Sequence, residues 1–297
     1  MQFKIALCQL MVTCDKATNL VHARNMLKEA ADMGAQLLVL PEMWVCPYSH
    51  EYFAKCAEHI DSEEPSPIYN MLSKVSCSHQ VTIVGGSIPE RRNGQLYDTC
   101  CVFGPDGKLK AKHSKLHLFD YHESGDSLFM QSDSFSAGDM PTLVDTGCKI
   151  MTEQNKLIRM YGMSADVGCI GIGICHDIRF PELAMLYRAK GADLIIYPGA
   201  FNMSTGKMLW ELETKARQVL LLQWLLITSC LLRYVHHAAI LLDHTQYGSG
   251  KVIASAEHEE KIVIAEIDYA ENLLHREYFP IQRQRKEEIY QFRDLHN

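Results

Sequence analysis

Gly171-Ile-Gly-Ile-Cys175-His-Asp-Ile-Arg-Phe-Pro181-Glu-Leu183 is the stretch on which the reading of this chain turns. A short apolar run, Gly171 to Ile174, reads as a buried strand, and the residues from Pro181 open a helix that continues to Lys190. Cys175 therefore falls at a strand-to-helix turn. A thiol there lies near the N–H groups of a helix start, which favour thiolate and can stabilise an oxyanion. On location alone, a buried structural cysteine is the commoner case.

Outward from this turn, strands alternate with helices. Upstream come a strand over Phe3–Leu10, a helix over Asn19–Met33 closed by Gly34, and a short buried strand over Gln36–Leu40. A helix over Pro67–Cys77 and strands over Val81–Ile88, Asp98–Phe103 and Leu109–Lys115 follow, the last two separated by a Pro105-Asp106-Gly107 turn. Downstream, Leu194–Tyr197 reads as a strand and a helix starts at Lys207. Four strands come next, over Trp224–Leu231, Ala238–Asp243, Val252–Ala256 and Lys261–Ile267. The pattern predicts an α/β chain with mixed, partly antiparallel sheets flanked by helices in one continuous domain over residues 1–297. Met151–Val167 lacks a clean period and reads as an inserted surface loop.

The chain has 297 residues, 47% hydrophobic and 22% charged, which excludes a disordered, collagen-like or coiled-coil chain. A net charge of −7, from 29 basic against 36 acidic residues, argues against a nucleic-acid partner. The longest uncharged stretch, Gln218 to Leu232, falls short of the roughly 18 residues of a membrane span, so no membrane is expected. Eleven cysteines form no Cys-x-x-Cys and no paired framework, so no zinc or other metal site is expected. The amino-terminal residues read as a strand rather than a signal peptide. Reduced thiols in the cytosol are the simplest reading, with a mitochondrial location also compatible.

Several motifs fail on inspection. Gly171-x-Gly173 has His176 where a dinucleotide fingerprint needs its third glycine. Gly248-Ser-Gly-Lys251 has Thr245 where a phosphate loop needs its first glycine. Two further sites remain. Leu40-Pro41-Glu42-Met43-Trp44 puts a carboxylate at the end of a buried strand, where α/β folds place ligands. His113-Ser-Lys115-Leu-His-Leu-Phe-Asp120 puts an ammonium group at another strand end. Each alone reads as an ordinary loop charge. Together with Cys175 they supply a base for the thiol proton, a nucleophile for a carbonyl and a cation for the oxyanion, the parts amide hydrolysis requires.

These three segments resemble the nitrilase, or carbon–nitrogen hydrolase, superfamily, whose Glu-Lys-Cys triad occurs in this order. Gly85-Gly86-Ser-Ile-Pro, Leu96-Tyr-Asp-Thr99, Val102-Phe-Gly-Pro-Asp-Gly107 and Tyr197-Pro-Gly-Ala-Phe-Asn202 extend the resemblance over nearly the whole chain. Pro47-Tyr48, Tyr52-Phe53 and the tail Pro280-Ile-Gln-Arg-Gln-Arg look most like the omega-amidases, which hydrolyse the terminal amide of α-ketoglutaramate and α-ketosuccinamate with release of ammonia. The resemblance implies a four-layer α-β-β-α sandwich paired into a homodimer, with a small-molecule amide as substrate and no cofactor. It implies Cys175 as nucleophile, Glu42 as general base, Lys115 as oxyanion stabiliser and the peptide N–H of His176 as second oxyanion donor. Tyr48, Arg179, Phe201 and Asn202 become candidate substrate contacts, although an arginine paired with a carboxylate is the simpler reading of Arg179. Other carbon–nitrogen hydrolase activities remain as alternatives: deaminated-glutathione amidase, N-carbamoyl amino-acid hydrolase, or a catalytically impaired binding protein.

The chain departs from the family pattern in three places. Gln131, in Phe129-Met130-Gln131, stands where the family carries a second glutamate, and Glu123 lies nearby in sequence. An isosteric amide keeps an acceptor oxygen but loses the charge beside Lys115. Residues 151–167 intervene before the nucleophile strand, leaving either Gly147-Cys-Lys-Ile150 or Gly168-Cys-Ile170 as its start. Leu220-Leu221 replaces two polar family residues, His236-His237 reads as loop, and the tail begins near residue 275.

Overall fold

The computed structural model describes residues 2–60, 66–122, 128–146, 148–151, 157–160, 167–201, 209, 212–217, 224–229, 240–243, 251–256, 259–270, 277–278, 280–286, 288–290 and 295. Strand β1 (Gln2–Gln9) shows how the layers arise. Phe3, Ile5 and Leu7 join one apolar cluster, while Ala6 and Cys8 join another, because successive side chains leave opposite faces of a strand. Both faces of β1 are therefore covered.

The outer face is covered by α1 (Lys16–Asp32) and α3 (Pro67–His79), whose Ala23, Leu27, Ala30, Ile68, Leu72 and Val75 recur at helical spacing. Asp15 and Ser66 cap these helices by accepting the N–H groups of Thr18 and Tyr69. The sheet beneath runs β16 (Lys261–Asp268), β1, β2 (Leu37–Val39), β3 (Thr82–Arg92), β4 (Gln95–Phe103), β5 (Leu109–Ser114). Its inner face packs against a second six-stranded sheet ordered β15 (Lys251–Ser255), β14 (Ile240–Asp243), β13 (Trp224–Ser229), β12 (Leu194–Gly199), β11 (Cys169–Ile172), β8 (Thr142–Asp145). On the far face of that sheet, α4 (Pro181–Ala189) contributes Leu183, Ala184 and Tyr187. The order is helix, sheet, sheet, helix, the expected four-layer sandwich.

The two sheets share one pairing pattern. From β16, neighbours are antiparallel, parallel, parallel, antiparallel, antiparallel; from β8 the sequence is the same. No repeat is visible in the residues, so the resemblance between the halves is one of topology. Cys169–Ile172, not the 147–150 flank, is the strand that leads to Cys175, pairing with Thr142–Asp145 on one side and Leu194–Ile196 on the other.

Most elements fall within a few residues of their expected bounds. One helix was missed, α2 (His50–Cys56), whose seven residues are too short to show a period, as was the short antiparallel pair β6 (Asp120–His122) and β7 (Leu128–Met130). The expected loop over 151–167 also differs. Strands β9 (Cys148–Met151) and β10 (Leu157–Met160) pair antiparallel, and Val167 is buried, its carbonyl accepting the Tyr269 hydroxyl at 2.7 Å. Leu220, Leu221, His236 and His237 lie outside the described residues, as does the start of the helix expected from Lys207, although 209 and 212–217 are helical. Among the described residues, no helix is long and apolar enough to cross a membrane, and no group of three or more His, Cys, Asp or Glu side chains is arranged to hold a metal ion.

Close approach fixes the glycine beside the Glu42 turn. Gly86 has φ +63°, and a Cβ there would overlap the carbonyl oxygen of Pro41 and come within 2.8 Å of the Trp44 ring. This is the backbone that carries Glu42. Gly86→Ala is expected to lower stability by about 3 kcal/mol, since the contacts are with backbone and a packed indole. Urea unfolding checks it; a loss below about 0.5 kcal/mol would mean that the strand end yields freely.

Candidate active site

Glu42, Lys115 and Cys175 lie at the carboxyl ends of three strands, β2, β5 and β11, drawn from both sheets. The turn after β2 is held by β3. Leu40 and Ser87 donate backbone N–H groups to Val84 and Pro41, Met43 N–H meets Ser87 Oγ at 3.2 Å, and the Trp44 indole donates to Gly85 at 2.8 Å. The second sheet reaches across, its Gly199 carbonyl accepting the Glu42 N–H at 3.3 Å. Lys115 is fixed along its backbone, its N–H donating to Asp98 at 2.9 Å and its carbonyl accepting from Gly138 at 2.8 Å.

The charged groups meet in the interior. Lys115 Nζ donates to Glu42 Oε1 at 2.6 Å and lies 3.8 Å from Asp98 Oδ2, and all three side chains are fully buried. Burial pulls the lysine down, but the charges of Glu42, Cys175 and Asp98 outweigh it and hold Lys115 protonated well above neutrality. The half-buried Tyr48 hydroxyl also donates to Glu42 Oε1, at 3.3 Å. Burial, Glu42, Asp98 and Cys175 all push that phenol up, so it stays neutral. The other oxygen of the base, Glu42 Oε2, is buried and takes no hydrogen bond from the described residues.

Cys175 starts a 3-10 turn, Cys175–Arg179, with φ +44°. Met43, the residue after Glu42, has φ +52°. A non-glycine residue in this left-handed region is strained by roughly 1–2 kcal/mol, so strain sits at both chemical strand ends. Burial raises the Cys175 thiol well above its ordinary pKa; Glu42 raises it further, while Lys115 and the Ala200 N–H pull it down. The net direction is up, so the resting group is a thiol beside a base rather than a preformed thiolate.

Asp177 holds this turn in place. Its Oδ2 accepts the Ile174 N–H at 2.8 Å, and its Oδ1 accepts the His117 N–H at 2.9 Å and contacts His117 Nδ1 at 2.7 Å. His113 Nε2 lies 3.5 Å from Oδ2. One buried carboxylate thus ties the cysteine turn to the segment that carries Lys115. Burial raises this carboxyl, but hydrogen bonds from His113 and His117 outweigh it and hold Asp177 well below the carboxylate range. Arg217 closes the other end of the turn, donating from Nε to the Ile178 carbonyl at 2.8 Å.

The remaining candidates divide. His176 follows the nucleophile, as an oxyanion donor must; its ring packs edge-on to Phe119 and Phe180, and burial, then Lys115 and Arg179, lower its pKa to about 4. Gln131 is fully buried and points Nε2 at Asp98 Oδ2, 3.0 Å away. Phe201 is buried in the same cluster as Cys175. Arg179 pairs with Glu213 at 3.1 Å, the structural arrangement that was the simpler reading. Asn202 and Glu123 lie outside the described residues. Sequence reasoning missed Asp98 and Asp177. Both lie inside the quoted motifs, but only tertiary contact distinguishes them from any other aspartate.

The depressed carboxyl of Asp177 has a consequence for stability. In the unfolded chain it titrates near 3.8, and in the fold lower, so its contribution is complete above about pH 4 and is lost as pH falls through the folded value. Asp177→Asn is expected to lose about 2–4 kcal/mol at pH 7. The Tm gap to the natural protein should narrow between pH 5 and pH 2.5. A gap that stays constant with pH would remove the charge from the explanation.

The comparisons agree with this geometry. The carbon–nitrogen hydrolase family profile matches residues 4–272. The chain is 47% identical to the chloroplastic omega-amidase of Arabidopsis thaliana over 99% of its own length and 75% of that protein. It is 40% identical to omega-amidase NIT2-A of Xenopus laevis over 100% of its length and 99% of that protein. Among solved structures, Saccharomyces cerevisiae Nit3, a member of branch 10 of the nitrilase superfamily, superposes with a TM-score of 0.80 at 34% identity, over 96% of this chain and 97% of that one. A profile spanning nearly the whole chain, joined to full-length identity of this degree, leads to one conclusion: the chain belongs to the carbon–nitrogen hydrolase family of the nitrilase superfamily.

Proposed function

We propose that this protein is a cysteine amidase of the omega-amidase type, hydrolysing the terminal amide of small dicarboxylic acid monoamides such as α-ketoglutaramate and α-ketosuccinamate. The observation that carries the reading is the buried pair of Lys115 and Glu42, 2.6 Å apart, acting on a thiol at a strained strand end. Full-length similarity to proteins named omega-amidases supports the substrate class.

The scheme follows from the groups present. The Cys175 sulfur attacks the amide carbonyl while Glu42 takes the thiol proton through its unoccupied oxygen. The oxyanion is held by the Lys115 ammonium and the His176 N–H. Collapse breaks the C–N bond, the Glu42 proton passes to the leaving nitrogen, and ammonia departs from a thioester. Glu42 then deprotonates a water that attacks the thioester, and the proton returns to sulfur as the acid leaves. Because the thiol titrates high, transfer to Glu42 accompanies attack.

The chain is proposed to act as one catalytic unit, with a homodimer as the working form and the cytosol as its compartment. The cysteines described, among them Cys8, Cys46, Cys56 and Cys175, are free thiols, in keeping with a reducing environment.

Cys175→Ala is expected to reduce ammonia release from α-ketoglutaramate by about 10³-fold or more. Glu42→Gln should split two measurements. Turnover falls by roughly 10²–10⁴-fold, while iodoacetamide alkylation of Cys175 at pH 7 becomes faster, because the charge that raises the thiol is gone. Turnover surviving Cys175→Ala would end the cysteine mechanism. Slower alkylation in Glu42→Gln would show that Glu42 already holds the thiol ionised at rest.

A further inference from the structure

The scheme leaves one buried charge beside the reacting groups without a task. Asp98, on β4, is 0% exposed, and its Oδ2 lies 3.8 Å from Lys115 Nζ, so the ammonium group faces two carboxyl groups rather than one. The backbone repeats the tie, since Asp98 O accepts the Lys115 N–H at 2.9 Å. A carboxylate removed from water is unfavourable unless a cation or donors face it, and here both do.

The second donor is Gln131, and its orientation is determined by its neighbours. Gln131 Oε1 accepts the Phe119 N–H at 2.8 Å, which leaves Nε2 to donate to Asp98 Oδ2 at 3.0 Å. The Gln131 backbone is also fixed, its N–H donating to the Phe119 carbonyl at 3.1 Å. An amide held at both ends cannot turn its oxygen toward the lysine. Gln131 therefore acts as a neutral tether, and the negative charge lies one side chain further on.

We propose that Asp98 is the second carboxylate of this site, a positioning residue that holds the Lys115 ammonium together with Glu42, with Gln131 fixing it in place. The amide at position 131 then has a carboxyl group one side chain away. The groups that face Asp98 are Glu42, Lys115, Gln131, Tyr48 and Ser87. Burial and the neighbouring Glu42 raise its carboxyl to about 8, with Lys115 opposing them, so its charge is fully present only above that pH. The turnover part of the test rests on the amidase reading; the thiol-labelling part does not.

The test is a reciprocal exchange in the full-length protein: Asp98→Asn, Gln131→Glu and the double variant, each read by kcat and KM for ammonia release and by the pH dependence of Cys175 alkylation with iodoacetamide. Asp98→Asn keeps the shape and one acceptor oxygen for Gln131 Nε2 while removing the charge. Its kcat is expected to fall about tenfold or more with KM within about threefold. Alkylation at pH 9, where the natural carboxyl is ionised, should accelerate, because Lys115 is then less neutralised. Gln131→Glu alone sets two carboxylates against one another, so alkylation should slow and kcat fall. The double variant restores one charge to the pair and should return both readouts to within about threefold of the natural protein. If the natural protein releases no ammonia, the amidase reading fails, and the alkylation profiles still decide the role of Asp98. If Asp98→Asn does not fold, Gln131→Glu decides it alone. Natural-like kcat and alkylation in Asp98→Asn, or in Gln131→Glu, would overturn the proposal. So would a double variant no better than the worse single one.

Discussion

A lysine and a glutamate fully removed from water, 2.6 Å apart, are the constraint on which the rest of this structure depends. Each ion loses several kcal/mol of hydration on burial, and mutual attraction offsets this only when geometry is good and the remaining hydrogen-bonding groups are satisfied. The fold meets those conditions from several elements. The Lys115 backbone is pinned by Asp98 and Gly138, the ammonium faces a second carboxylate, and the Glu42 turn is held by β3 and by Gly199 of the opposite sheet. Displacing any one of these leaves a buried charge unmatched, which couples the stability of the sandwich to the integrity of the site.

The same economy governs the cysteine. Its left-handed backbone is unfavourable in isolation and persists because Asp177 gathers the Ile174 N–H, the His117 N–H and the His113 and His117 rings onto one carboxylate. Those partners come from the nucleophile turn and from the lysine segment. One carboxylate thereby ties the turn that carries Cys175 to the segment that carries Lys115. The thiol itself, raised by burial and by Glu42, is kept from ionising until a base can act on it. A buried, protonated sulfur is also protected from adventitious oxidation.

The halves of the molecule share a pairing order without sharing a sequence pattern. That order places strand ends from two sheets on one side of the interface between them, which is how residues 42, 115 and 175 converge. Strand identity was legible because buried strands are continuous apolar runs bounded by turns: Gln36–Leu40 and Leu194–Tyr197 contain or overlap the observed Leu37–Val39 and Leu194–Gly199, while the strand before Cys175 read as Gly171–Ile174 with its start left open. Helix α2 was not, since seven residues carry too little periodicity, and β9 with β10 was hidden in a stretch of mixed charge.

What the sequence determined by itself was the alternation of strands and helices and, through its resemblance to a known family, the expectation of a four-layer class and of three candidate chemical residues. These depend on local pattern and on motifs that survive as strings. Only the tertiary structure decided which carboxylates matter beyond Glu42. Asp98 and Gln131 are 33 residues apart, and Asp177 and His117 are 60. Read along the chain, Gln131 is a missing charge and Asp98 an unremarked residue in a strand. Folded, they are hydrogen-bonded beside one lysine. The physical reason is that a string records which groups exist, whereas the field at a buried ammonium depends on distances of a few ångströms that only packing sets.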